Sequence, residues 1–326
     1  MGEMKKQQSF ADMEYANRKR RTKRDEFLEI MDEVIPWDEW TGLVEPYYPS
    51  GKRGRRPRGV EIMLRMYLLA NWFTLSDEGV EEAIYDSYAF RKFMGIDFMN
   101  EEQVPDATTL CKFRKLLNEN GITKLLFDTM KGFMDRHGKI MHGGTIVDAP
   151  TSTKNAKKER DPEMHSVKKG NEWHFGARMH VGVDAGTGYI HSVAVTAAHV
   201  SERDIVPQLV REDDTVLYGD AGYTGLAKRP EFEGDPHLSS LDIRANSRNR
   251  LHWKHTAPGF DWDRYIEYQK SRVRSKVEYV FLVIKRLFGY RKIRYRGIEK
   301  NRTHAYMLCA CANLYMLAQS GQGRVY

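Results

Sequence analysis

Cysteine is scarce: Cys111, Cys309 and Cys311 are the three in 326 residues, and no two of them form a CxxC pair. That pattern argues for reduced thiols in a cytosol and against a zinc site. Long apolar runs are also missing. The most apolar C-terminal stretch, 307–318, is too short to cross a bilayer and contains Asn313. No secretory leader is visible at the N-terminus, so a soluble cytoplasmic protein is expected. What is present is enough apolar residue, 41% with 11% aromatic, to build packed cores and exclude a disordered chain. The length allows two domains. The net charge is +7 with Lys and Arg in clusters, which points to a polyanionic partner, nucleic acid or a membrane surface. The basic residues do not line one amphipathic helix, which disfavours the membrane.

The N-terminal part reads as helical. Arg18, Lys19, Arg20, Arg21, Lys23 and Arg24 open a helix carrying Phe27, Leu28, Ile30, Met31 and Ile35. Such a run fits either a solvated face or a phosphate contact. The following segment, Tyr47 to Arg58, is broken by Gly and Pro and carries Lys52, Arg53, Arg55, Arg56 and Arg58. An arm of this kind suits a DNA groove or a phosphate rail better than a bland linker. Over residues 60–137 apolar stripes recur at the helical period, from Val60, Met63, Leu64, Tyr67 and Leu68 to Ile122, Leu125, Leu126, Met130 and Phe133. Ser76 is placed to cap the helix holding Val80, Ile84 and Tyr88, and Asp106 lies in a turn and cap before Leu110.

Near residue 140 the pattern changes to strands. Gly144 to Asp148 is a short apolar run ending in a carboxylate. Trp173, Phe175, Ala177, Met179, Val181 and Val183 alternate, Asp184 to Gly188 forms a hairpin turn, and Tyr189 to Ala197 returns. Thr215 to Asp220 is a second buried strand ending in a carboxylate. Residues 228–262, rich in Pro, Gly and charge, read as an insertion or loop. From Ser271 onward Val273, Val277, Val280, Phe281, Ile284, Leu287 and Phe288 mark a helix, with Arg274, Glu278 and Lys285 on a second face. Thr303 to Gln319 is a last helix, with Met307, Leu308, Leu314, Tyr315 and Leu317 as core. The order of strand, hairpin, strand and helix is that of an α/β fold. The expected organisation is a helical, basic region over 1–140 and an α/β domain over 141–326.

That order puts Asp148 and Asp220 at strand ends, where side chains aim into a crevice. Glu278 would come from a helix packed on the sheet. Three carboxylates with no Cys and no evident His partner suit hard cations such as Mg²⁺, and two ions about 4 Å apart could clamp an in-line phosphoryl displacement. Each Asp also fits an ordinary turn or cap, as Asp184 does in its hairpin.

Longer motifs carry a family resemblance. They include T-I-V-D ending at Asp148, S-T-K-N, R-D-P-E-M-H-x-x-K-K-G-N-x-W-x-F-G, H-S-V at His191, G-D-A-G-Y-x-G from Gly219 and K-R-P-E from Lys228. The tail V-R-x-K-V-E-x-x-F-x-x-I-K-R-x-F-G-Y-x-K-x-R-Y-R-G from Val273 completes the set, and E-P-Y-Y-P, G-R-R-P, L-S-D and P-D-x-T-T-L precede it. The sequence resembles the bacterial insertion-sequence-five transposases of the DDE superfamily over nearly its whole length. The resemblance implies a ribonuclease-H-like catalytic core behind an all-helical DNA-binding region. It implies a catalytic and metal-binding triad of Asp148, Asp220 and Glu278, holding two Mg²⁺ ions with Mn²⁺ as a substitute. It implies DNA contacts through Arg274 and Lys285 of a Tyr-x2-Arg-x3-Glu-x6-Lys signature. Arg286, Arg291, Arg294, Arg296, Arg53, Arg55, Arg56, Lys154, Lys168 and Lys169 are the further candidate DNA contacts.

The expected activity is Mg²⁺-dependent cleavage and strand transfer at the element's terminal inverted repeats, on double-stranded DNA, by a homodimer or larger assembly in the bacterial cytoplasm at the nucleoid. Two departures stand out. Ser271 occupies the Tyr position of the signature, and the family's extra residues between the first Asp and the S-T-K-N segment are missing. A DNA-binding protein without chemistry and a metal nuclease that does not join DNA are the alternatives.

Overall fold

A capping box starts the first helix: the Thr22 Oγ1 accepts from the Asp25 amide at 3.2 Å, and the Asp25 carboxylate accepts from the Thr22 amide at 3.0 Å. In this computed structural model the described residues are 17, 19–51, 57–98, 103–140, 142–148, 161–169, 171–247, 262–291 and 293–321. The chain divides into two units, Met1–Leu116 with Leu317–Tyr326, and Leu117–Met316.

The first unit is helical where described: α1 (Lys23–Val34), α2 (Trp37–Val44), α3 (Val60–Trp72), α4 (Asp77–Asp86), α5 (Tyr88–Met94) and the start of α6 (Ala107–Glu119). Met31, Trp40, Met63, Leu64, Tyr67, Trp72 and Phe90 are buried, while Val60, read as the start of the first stripe, is half-buried, and Leu125, read as core in the last stripe, is exposed. Ser76 caps α4 by accepting from the Gly79 amide at 3.0 Å, and Asp106 caps α6 through the Thr109 amide at 2.7 Å. Tyr88 does not continue the Val80–Ile84 stripe; the chain breaks at Ser87 and Tyr88 opens α5. Part of the basic run is used internally. Arg24 lies over the rings of Phe73 and Phe90 at 5.3 and 5.0 Å, and Arg21 pairs with Glu29.

The second unit begins with α7 (Ile122–Arg136) and is built on a six-stranded sheet. Its strands are β1 (Gly144–Asp148), β2 (His165–Lys169), β3 (Glu172–Asp184), β4 (Ile190–Ala197), β5 (Val216–Gly219) and β6 (Asp242–Ala245). Strands β4 and β1 flank β3 on opposite edges and are antiparallel to it, since Val181, Gly182 and Val183 pair with both. On the far side of β1 come β5 and then β6, all three parallel. Helix α8 (Glu202–Leu209) links β4 to β5 and covers one face. Val147, Leu217, Ile205, Val206, Leu209, Tyr223, Leu226, Phe232, Leu238 and Leu241 form its core. Helix α11 (Trp262–Leu282) packs on β1 and β5 yet adds nothing to that cluster, so it lies on the other face. Helix α12 (Ile298–Gly321) follows.

Residues 228–247 are not a loop. They hold α9 (Pro230–Glu233), α10 (Pro236–Ser240) and β6, and they bury Phe232, Leu238 and Leu241. Proline at the first position of each short helix is helix-compatible, which is why composition alone misreads the segment. The rest of the expected insertion, 248–261, lies outside the described residues.

Candidate functional site

Strands β1 and β5 run parallel with Gly144, Thr145 and Ile146 opposite Val216, Leu217 and Tyr218. Continuing that register sets Asp148 level with Asp220, at the C-terminal ends of two neighbouring strands. Alternation gives Asp148 and Asp220 the face opposite to Val147 and Leu217, the face on which α11 packs. Asp148 is half-buried and Asp220 exposed. The Asp220 carboxylate is held by its own turn, with Oδ1 accepting from the Gly222 amide at 2.7 Å. Two glycines make this turn possible. A Cβ at Gly219 would lie 2.8 Å from the Tyr223 ring, and one at Gly222 would lie 2.7 Å from Asp220 Oδ1.

Glu278 sits on α11, is 58% exposed, and accepts from Arg274 Nη2 at 2.6 Å, as its i, i+4 spacing requires. The helix is fixed at several points. Lys276 Nζ donates to the carbonyls of Ala185 and Gly186 in the β3–β4 turn, both at 2.6 Å. Ser271, at the signature's Tyr position, accepts at Oγ from Asn246 Nδ2 at 3.1 Å. Buried Glu267 accepts from Asn246 Nδ2 at 3.2 Å, from the Ser247 amide at 2.9 Å and from Lys270 at 2.9 Å. Tyr268 is 62% exposed.

Val283–Leu287 then forms a π-helical turn, with the Phe288 amide bonded to the Val283 carbonyl at 3.0 Å. The extra residue rotates the face, so that Leu287, read as core, is exposed while Phe288 is buried. Lys285 lies in this turn with Nζ 5.2 Å from the Phe281 ring centre. Among the described residues, no three or more His, Cys, Asp or Glu side chains converge closely enough to hold a metal ion.

The cations of the tail are distributed along one segment. Arg286, Arg291 and Arg296 are exposed and Arg294 is half-buried. The tail ends where Asp161 Oδ2 and Glu163 Oε2 accept from the Gly297 and Ile298 amides at 2.6 and 2.7 Å, so the R-D-P-E motif anchors the start of α12. The rings of Tyr290 and Tyr295 stand edge-on to His304 at 5.2 and 5.3 Å. Lys168 is exposed on β2, and Lys169 belongs to the same strand. Arg53, Arg55, Arg56 and Lys154 lie outside the described residues.

Sequence reading missed a set of groups beneath the two aspartates. The Tyr223 hydroxyl donates to Glu202 Oε2 at 3.2 Å, and Arg178 Nη1 donates to Glu202 Oε1 at 2.8 Å. Burial first, and then the charges of Glu202, Asp148 and Asp220, push the Tyr223 hydroxyl well above the usual phenol range. The signal was present for Tyr223, which belongs to the G-D-A-G-Y motif. Glu202 and Arg178 carry no local signal, because only the fold joins α8 to β3.

Two family models match. One, described as Transposase domain (DUF772), covers residues 16–116, and the other, described as Transposase DDE domain, covers residues 140–314. The chain also aligns with the piggyBac transposase of a cryo-EM synaptic complex with hairpin DNA, at 12% identity and a TM-score of 0.46, over 93% of this chain and 76% of that one. Since the second model spans more than half of the sequence, the chain belongs to the transposase family with a DDE domain.

Proposed function

We propose that this protein is a DNA transposase of the insertion-sequence-five type from a bacterium. Asp148, Asp220 and Glu278 would carry its chemistry, and residues 1–140 would hold the element's terminal inverted repeats. The observation that carries the reading is the level placement of Asp148 and Asp220 on parallel strands with the Glu278 helix packed against both. The strand order, with β4, β3 and β1 antiparallel in turn and β5 and β6 parallel to β1, supports a ribonuclease-H-like core.

The aspartate pair offers only oxygen donors, which suits a hard divalent cation such as Mg²⁺ or Mn²⁺. Glu278 would complete the set by exchanging its bond to Arg274. Two bound ions would supply Lewis-acid stabilisation of the attacking and leaving oxygens. The chain's own part is positional. The β-strand ends fix two carboxylates, and the Gly222 amide sets the rotation of Asp220. Arg274, Lys285, Arg286, Arg291, Arg294 and Arg296 would hold DNA phosphates alongside. The arm with Arg53, Arg55 and Arg56, and the segment with Lys154, Lys168 and Lys169, would extend that track. Handling two element ends together calls for a dimer or larger assembly, acting at the nucleoid.

The test is cleavage of labelled linear DNA carrying the sequences that flank the coding region, with Mg²⁺ and with EDTA. Magnesium-dependent nicks at the element boundary, lost in Asp148→Asn, and joined product in a strand-transfer assay are expected. The Arg274–Glu278 bond favours a second reading, a DNA-binding protein without chemistry. Binding that survives Asp148→Asn, with no cut by the unmutated protein, would select it. Cuts without joined product would select a nuclease.

A further inference from the structure

Tyr223 is 3% exposed, and its ring lies against Gly219 so closely that a Cβ there would collide with it. Its amide donates to the Asp220 carbonyl at 3.1 Å, so Tyr223 closes the turn that carries Asp220. The hydroxyl of the same residue reaches Glu202 Oε2, and the other Glu202 oxygen takes the guanidinium of buried Arg178. Next to Glu202, Arg203 Nε donates to the Gly222 carbonyl at 2.6 Å. Glu202 and Arg203 both belong to the first turn of α8, and Arg178 to β3. The turn bearing Asp220 is therefore gripped twice from outside, through the Tyr223 hydroxyl and through the Gly222 carbonyl.

From this geometry we infer that Glu202 and Tyr223 are positioning residues for the metal-binding carboxylates. The hydrogen-bond chain Arg178–Glu202–Tyr223 would hold Asp220 level with Asp148. The inference deepens the reading of the carboxylate pair as a metal site and depends on it. Both would act through Asp220 rather than by contact with substrate or metal. Partners that orient a ligating carboxylate typically set metal affinity by 10–100-fold. Glu202 is suited to the task because both of its oxygens are engaged, one by the Arg178 guanidinium and one by the Tyr223 hydroxyl.

The measurement is Mn²⁺ affinity of the full chain without DNA, by electron paramagnetic resonance, alongside the Mg²⁺ concentration for half-maximal cleavage. Tyr223→Phe keeps the ring against Gly219 and removes only the hydroxyl. Glu202→Gln keeps the shape and removes the charge. Each is expected to weaken Mn²⁺ binding about tenfold and to raise the Mg²⁺ requirement to match. The double variant should lose little more than either single one, since both act through one chain of bonds. Leu238→Ala, in the same core but outside this chain, is the stability control: it should lower the melting temperature without moving Mn²⁺ affinity. Unchanged Mn²⁺ affinity in both single variants, with binding abolished in Asp148→Asn, would overturn the positioning role and leave the carboxylate reading intact. A wild-type protein that binds no Mn²⁺ would overturn the carboxylate reading itself, and this inference with it.

Discussion

Single residues decide the chemistry and much of the acid stability. Glu278→Gln should leave folding and DNA binding in place and reduce cleavage by several orders of magnitude, read in the labelled-DNA assay; equal activity would remove Glu278 from the triad. Gly219→Ala puts a methyl 2.8 Å from three Tyr223 carbons, a clash that should cost about 1–3 kcal/mol in urea denaturation. His180 and His191 contribute to the pH dependence on the acid side of neutrality. Both are buried, and burial, aided by Arg178 beside one and Arg211 beside the other, pushes their pKa down, to about 3 for His180. The unfolded chain binds a proton at each near pH 6.5, so their contribution is whole above that pH and is lost as the pH falls toward about 3. Between pH 6 and 5 the two should remove about 2 kcal/mol, and His180→Gln should halve that slope in urea midpoints. Strand-end position and helical spacing, both local signals, marked Asp148, Asp220 and Glu278 as candidates, and the family resemblance is what grouped them as a triad. The sequence was silent on Glu202, and gave no hint that His191 Nε2 would lie 3.0 Å from Thr145 Oγ1, because those partners meet only across strands.

At the level of elements, two devices close the α/β unit. Lys276 staples α11 to the β3–β4 turn, and Asn313 of α12 does for β4 what a further strand would do. Its Nδ2 donates to the Ile190 carbonyl at 2.7 Å and its Oδ1 accepts from the Ile190 amide at 2.9 Å. Asn313→Leu would strand two buried backbone groups, at a cost of about 3 kcal/mol in unfolding free energy by urea denaturation. Sequence reading found the longer helices and the hairpin, which are periodic, and the two carboxylate strands, which are short apolar runs closed by an Asp; it made no reading of α8 or of β2. It missed β6, four residues that follow two proline-led helical turns, and the π turn that takes Leu287 out of the core. Neither leaves a periodic trace: β6 is too short to alternate visibly, and a π turn is one residue of slippage in an unbroken apolar pattern.

For the molecule as a whole, the excess of positive charge makes salt the natural probe. If Arg274, Lys285, Arg286, Arg291, Arg294 and Arg296 all contact phosphates, they should contribute about −5 to the slope of the logarithm of DNA affinity against the logarithm of salt. Replacing three of them with Gln should make the slope shallower by about 3, and an unchanged slope would dissociate this segment from DNA. A further consequence concerns time. Asn313 is 123 residues downstream of Ile190, and at the usual 5–20 residues per second the ribosome needs about 6–25 s to deliver one after the other. During that interval the outer edge of the hairpin's return strand has no seal, so β4 stays an open edge until α12 has been made and has folded onto it.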